Sequence, residues 1–184
     1  MRIALSTNWN VKRHQEGEPL VDEILSLGFD SLELGYHTTD ELAAGIRRRV
    51  SAGAVAVDSV HAYCPVPIGA PHGYPELYLL ASLDEDERAM AAILIGRTLE
   101  FAVSMGAKAV VLHGGRVFLN SFFGDLHTRK LVEALGEEGE VAAPRYQRML
   151  EKALRRRAAR VVKYYDGFCL SLDTLLPKFE KAGV

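Results

Sequence analysis

Met105-Gly106-Ala107-Lys108-Ala109-Val110-Val111-Leu112 is the stretch on which the reading of the fold turns. An amphipathic run ends at its glycine, and a short run rich in Val and Leu follows. The same phrase stands earlier as Leu27-Gly28-Phe29-Asp30-Ser31-Leu32-Glu33-Leu34 and as Ala52-Gly53-Ala54-Val55-Ala56-Val57-Asp58-Ser59-Val60. A glycine just past a helix suits the left-handed conformation that closes it, because no Cβ opposes a positive φ. A short, apolar, β-branched run suits a buried parallel strand.

Outward from these phrases the chain reads as alternating strands and helices. The predicted strands are 2–7, 30–35, 55–61 and 108–113. Leu20, Ile24 and Leu27 share one side of a predicted helix from Pro19 to Leu27, with proline suited to the first turn. Leu42, Ile46 and Val50 do the same after Thr38 and Thr39, either of which suits an N-cap. A long helix is predicted from Asp84 to Met105, with Asp84, Glu85 and Asp86 at its positive end. Pro144 to Tyr165 reads as another helix, and Ser171 to Lys181 as a further one, capped by Ser171 and interrupted near Pro177.

Alternation of this kind implies parallel pairing through helical crossovers. A closed (β/α)8 TIM barrel takes ~250 residues. Four strands in 184 residues therefore read as its N-terminal half, a single partial domain over 1–184 without an internal boundary. Lys181-Ala182-Gly183-Val184 opens the glycine phrase once more. The expectation is a fragment of a longer protein, a truncated product, or a half-barrel that pairs with another chain. A small open α/β sheet of flavodoxin type is the alternative; against it, no glycine-rich phosphate loop follows the first strand.

Hydrophobic residues make up 48% of the chain and charged ones 25%, ordinary for a globular protein and unlike disordered or fibrous classes. A net charge of −2 gives no global attraction to nucleic acid or to an anionic membrane. Arg47-Arg48-Arg49 and Arg155-Arg156-Arg157 fall on predicted helices, where a solvated face explains them. No signal-type segment opens the sequence, and no apolar stretch approaches the ~20 residues of a membrane span. Cys64 and Cys169 stand far apart and read as two buried thiols in a reducing compartment, with one disulfide between them as the alternative. The expected setting is cytoplasmic.

In parallel β/α proteins chemistry collects at the carboxyl ends of the strands. Asn8 and Trp9 end the first strand; Glu33, Gly35, Tyr36 and His37 end the second. His61, Ala62 and Tyr63 end the third, and His113, Gly114 and Gly115 the fourth. Neighbouring strands lie ~4.8 Å apart, so His61 and His113 can converge on one metal ion or one polar substrate; two core histidines bonded to carbonyls would look the same in sequence. Glu33 has three roles open to it: binding a substrate hydroxyl, orienting a histidine, or pairing with Arg2 or another cation. Arg116, after the two glycines, is placed to meet an anionic group. The Pro-, Gly- and Tyr-rich segment 62–80 is long enough for a lid or substrate wall. His72 and His127 read as exposed loop residues.

Together, Arg2-Ile3-Ala4-Leu5-Ser6, the Gly28 phrase, Ser59-Val60-His61-Ala62 and the run Ala102 to Gly115 resemble the xylose isomerase-like TIM-barrel superfamily. That superfamily includes sugar-phosphate isomerases and epimerases and the endonuclease IV type of DNA-repair enzyme. The resemblance implies a divalent metal (Zn, Mn or Mg) at the barrel mouth, with His61 and His113 in the family's histidine positions. It implies a sugar or sugar phosphate as substrate, and Asn8, Trp9, Glu33, Tyr36, Tyr63 and Arg116 as candidate substrate contacts. The family's carboxylate ligands and acid/base glutamates belong to strands five to eight, which this sequence does not contain, so no catalytic residue is assigned. The chain is expected to be inactive alone and to form a homo-oligomer or require a C-terminal half. The alternatives are a nuclease-type relative, disfavoured by the charge, and a non-catalytic assembly or binding module.

Overall fold

The computed structural model describes residues 3–119, 126–141 and 143–184. Its elements in chain order are β1 (Leu5–Ser6), α1 (Gly17–Ser26), β2 (Ser31–Leu34), α2 (Asp40–Ser51), β3 (Ala56–His61), α3 (Glu85–Ser104), β4 (Ala109–Val111), α4 (Leu126–Glu138), α5 (Pro144–Ala158) and α6 (Val161–Ala182). Two short 3-10 turns, Thr7–Trp9 and Val11–Arg13, link β1 to α1. The strands are shorter than their predicted spans, and Arg2 lies outside the described residues.

All pairings are parallel, in the order β1-β2-β3-β4. Sequential parallel strands with helical crossovers form an α/β unit with the topology of the first half of a (β/α)8 barrel. The predicted glycine ends hold: Gly28, Gly53, Gly106 and Gly183 have φ of 87°, 71°, 74° and 71°. Asp84 caps α3, its carboxylate accepting from the backbone N–H of Asp86 at 2.9 Å and of Glu87 at 3.3 Å. Thr39 caps α2 through Leu42 N–H.

Side-chain alternation divides the sheet into unlike faces. Leu32, Leu34, Val57 and Val60 point toward the helix layer and pack with Leu20, Val21 and Ile24 of α1 and Leu42 and Ile46 of α2. Burying each such aliphatic side chain is worth ~1.5–3 kcal/mol. Ser6, Glu33, Ser59 and Ala109 are aligned across the other face, and none of them is buried. That face is the one a closed barrel would turn toward its lumen. A second cluster joins Ala62, Tyr63 and Leu80 to Ala91, Ala92, Leu94 and Ile95 of α3 and Leu175 of α6.

The C-terminal helices differ from expectation. The chain breaks at Ala159 and Arg160, and α6 then runs unbroken through Ser171 and Pro177. Ser171 does not cap a helix: its Oγ lies 2.7 Å from the Leu80 carbonyl and 3.1 Å from that of Gly167. Proline removes one helical donor, but Leu175 and Phe179 on either side of Pro177 pack into the second cluster, and that packing keeps the helix whole. Helix α4 was not assigned from sequence, and His127, read as a loop residue, falls in its first turn.

Both cysteines are free; Cys64 is buried and Cys169 half-buried. Burial pushes the Cys64 thiol up to about 12, so it is protonated and unreactive. Among the described residues no helix is long and apolar enough to cross a membrane.

Candidate functional site at the strand carboxyl ends

β3 ends at His61 and β4 stops two residues before His113, which brings the two rings together at the edge of the sheet. Their centroids are 4.9 Å apart with planes inclined by 58°. His61 Nδ1 lies 2.9 Å from the Ala62 carbonyl oxygen. A carbonyl can only accept, so Nδ1 carries the hydrogen, and in the neutral form of the ring Nε2 is the nitrogen with the free lone pair. Partial burial and the neighbouring His61 charge both hold His113 below the ordinary imidazole value. A neutral imidazole is the form that binds a metal or accepts from a hydroxyl.

The ring of Tyr36, just past β2, meets His61 edge-on at 5.1 Å and His37 at 4.6 Å. Glu33 lies deeper on the open face, in register with Ser59, whose hydroxyl sits 3.4 Å from its Oε2. Among the described residues no cation pairs with Glu33. Asn8 lies over Gly35 so closely that a Cβ there would meet Asn8 Oδ1 at 2.2 Å. Gly35 N–H donates to Thr7 Oγ1 at 2.8 Å, tying the mouths of β1 and β2 together. Among the described residues, Asn8 Oδ1 is buried without a hydrogen-bond partner. An orphaned acceptor at a strand mouth is a place for a hydroxyl.

Not every candidate converges here. Trp9 is 47% exposed, with the Arg13 guanidinium 4.2 Å from its ring centroid. Tyr63 is buried in the second cluster, and its hydroxyl donates to the Tyr78 carbonyl at 2.5 Å. Burial, reinforced by the Glu87 carboxylate, pushes its pKa up. Arg116 is held by Glu76, in the segment after β3, and donates to the Tyr74 hydroxyl at 3.1 Å. The Arg116–Glu76 pair clasps the loop after β4 to that segment.

Whether the two imidazoles make a metal centre depends on the donors around them. Among the described residues no three of His, Cys, Asp and Glu converge on a point where an ion would sit. A catalytic zinc site uses three protein ligands. The pair on this chain is short of that by itself and would need ligands from elsewhere to hold an ion.

Three further residues gather beside this mouth that sequence reasoning had not joined. Lys12, His37 and His72 come from the loops after β1, β2 and β3 and line one cavity of ≈ 580 Å³. Burial first, then the charges of Lys12 and His72, hold His37 below the ordinary imidazole value of 6.5. The folded state thus binds this proton more weakly than the unfolded chain, and the group's contribution to stability is lost as pH falls below 6.5 toward the folded pKa. Lys12→Met should raise the His37 pKa while leaving it below 6.5, since burial, the larger cause, remains. An NMR titration of the His37 ring checks this; an unchanged pKa would place Lys12 too far away to matter.

No protein-family model matches the sequence, and no curated protein matches it. Among solved structures the chain is similar to a D-tagatose 3-epimerase-like protein, with a TM-score of 0.61 and 14% sequence identity. The match covers 100% of this chain and 51% of that one, so this chain spans about half its length. At that identity the likeness establishes the fold.

Proposed function

We propose that the chain supplies the first four β/α units of a metal-dependent sugar or sugar-phosphate isomerase/epimerase-type barrel and is inactive by itself. The observation that carries this reading is the His61–His113 pair, 4.9 Å between centroids, on adjacent strand ends of the open face. The likeness in fold to an epimerase-like protein supports it. Asn8 and Tyr36 are the residues at the mouth placed to contact a sugar, with Glu33 below them. The ligands missing from the metal shell come from a second chain or from further β/α units, whose carboxylates would also move the proton. Zinc, manganese or magnesium so held would polarise a carbonyl beside a hydroxyl.

A non-catalytic half-barrel module is the second reading, favoured by the absence of a third converging ligand among the described residues. The nuclease-type reading has less support. Arg48 pairs with Glu18, Arg49 with Asp22, and Arg47 donates to Ser104 Oγ, all on the helix layer. Arg155, Arg156 and Arg157 close the last turn of α5, where cations favour the helix dipole.

Titrating the chain with Zn²⁺ while following its histidine ring nitrogens tests the proposal. The His61 and His113 Nε2 signals should shift together. His61→Ala or His113→Ala should weaken binding by more than the ~10–100-fold that loss of a merely supporting hydrogen bond costs. Unperturbed signals at both histidines would leave the non-catalytic module as the better reading.

A further inference from the structure

We infer that the cavity formed by the loops after β1, β2 and β3 receives an anionic group of the substrate, so that the substrate class is a sugar phosphate or sugar acid and not a neutral sugar. This rests on the reading of the mouth as a sugar site and names the substrate class of that site.

Lys12 projects from the turn Val11–Arg13, His37 follows β2, and His72 lies in the long segment after β3. All three line the ≈ 580 Å³ cavity. Both Lys12 and His72 disfavour the charged form of His37, so His37 feels the charge of each. A bound anion would relieve that repulsion. Among the described residues none of the three has a carboxylate partner. Their neighbours differ: Arg13 and His14 both pair with Glu23, and Arg116 with Glu76. Glu41 supplies a carboxylate to the lining, engaged with its own backbone N–H and with Thr39. Gln15 and Thr39 add neutral polar groups.

Position relative to the mouth gives the second argument. The His37 ring is 4.6 Å from Tyr36, and Tyr36 is 5.1 Å from His61. Two ring contacts therefore separate His37, in the lining of the cavity, from the histidine pair. A substrate with its anionic end at Lys12 would lay its carbon chain along Tyr36 toward His61 and His113.

The test is calorimetric titration of the full chain with D-fructose 6-phosphate, D-fructose, D-gluconate and inorganic phosphate. Charge-assisted hydrogen bonds are worth ~1.5–3 kcal/mol, about tenfold or more in affinity. Fructose 6-phosphate, gluconate or both should therefore bind about tenfold or more tightly than fructose, and inorganic phosphate should compete with them. Whichever acid binds more tightly identifies the anion as phosphate or carboxylate. Lys12→Met and His72→Gln, both at exposed positions, should each weaken binding of the acids and of inorganic phosphate, with the circular-dichroism spectrum unchanged. Fructose binding as tightly as both acids, no binding by either acid, or acid binding indifferent to both substitutions would overturn the inference. Inorganic phosphate bound through Lys12 with no gain from an attached sugar would keep the anion cavity and overturn the sugar reading of the mouth.

Discussion

Gly17→Ala is expected to destabilise the chain by ~3 kcal/mol or more, at or above the upper end of ordinary overpacking costs. Helices α1 and α2 cross where Gly17 faces Gly45. A Cβ on Gly17 would meet the Leu42 carbonyl oxygen at 2.0 Å and the Ile46 nitrogen at 2.5 Å. Both are backbone atoms inside a helix, so neither yields by rotating a side chain. Relief requires α1 to move away from α2, which parts Leu20, Val21 and Ile24 from Leu42 and Ile46 in the main core. Native domains hold ~5–15 kcal/mol in total, so the change takes a large share of it. At ~2–4 °C per kcal/mol for a chain of this size, the melting temperature should fall by ~6–12 °C. Gly96→Ala is the control. It lies within α3 with nothing within 4 Å of its Cβ position, and alanine there should stabilise by ~0.5–1 kcal/mol. Equal melting temperatures for the two variants would mean that α1 and α2 do not cross as described.

Gly73→Ala should act on binding more than on stability. Its Cβ would lie 1.7 Å from the Tyr36 carbonyl oxygen and 3.0 Å from the His37 Cα. The clash resembles that at Gly17, but Gly73 belongs to the irregular segment between β3 and α3, which can shift. That segment carries His72, and the atoms it would withdraw from flank His37. The cavity should widen and separate His72 from Lys12 and His37. Binding of fructose 6-phosphate or gluconate, whichever the natural chain prefers, should fall about tenfold, the worth of one lost charge-assisted contact. Stability should change by no more than the ~1–3 kcal/mol of ordinary overpacking. Unaltered affinity in a variant that folds would show that the Gly73 approach does not shape the cavity.

Much of the architecture was legible because its causes are local. Gly28, Gly53 and Gly106 mark helix ends through a conformational preference of one residue, and the apolar runs after them mark strands through short periodicity. Asp84 and Thr39 cap the helices predicted for them, through hydrogen bonds that span two or three residues. The pairing of His61 with His113 was legible too, since both end strands that are neighbours in chain order. Local rules failed at the C-terminal end. Ser171 and Pro177 are ordinary boundary signals, yet α6 passes through both, because contacts with α3 and with the Leu80 carbonyl outweigh them.

By itself, then, the sequence determined the alternation of strands and helices, the helix ends and the two histidines at strand mouths, since each depends on residues within one element or its immediate neighbour. Tertiary structure alone decided that Tyr63 turns into the second cluster, that Arg116 is held by Glu76, and that Lys12, His37 and His72 line one cavity. Those outcomes join residues from different loops, 40 positions apart in the case of Glu76 and Arg116. Their meeting is set by how the helices and loops pack around the sheet, a sum of many weak contacts that no short motif encodes.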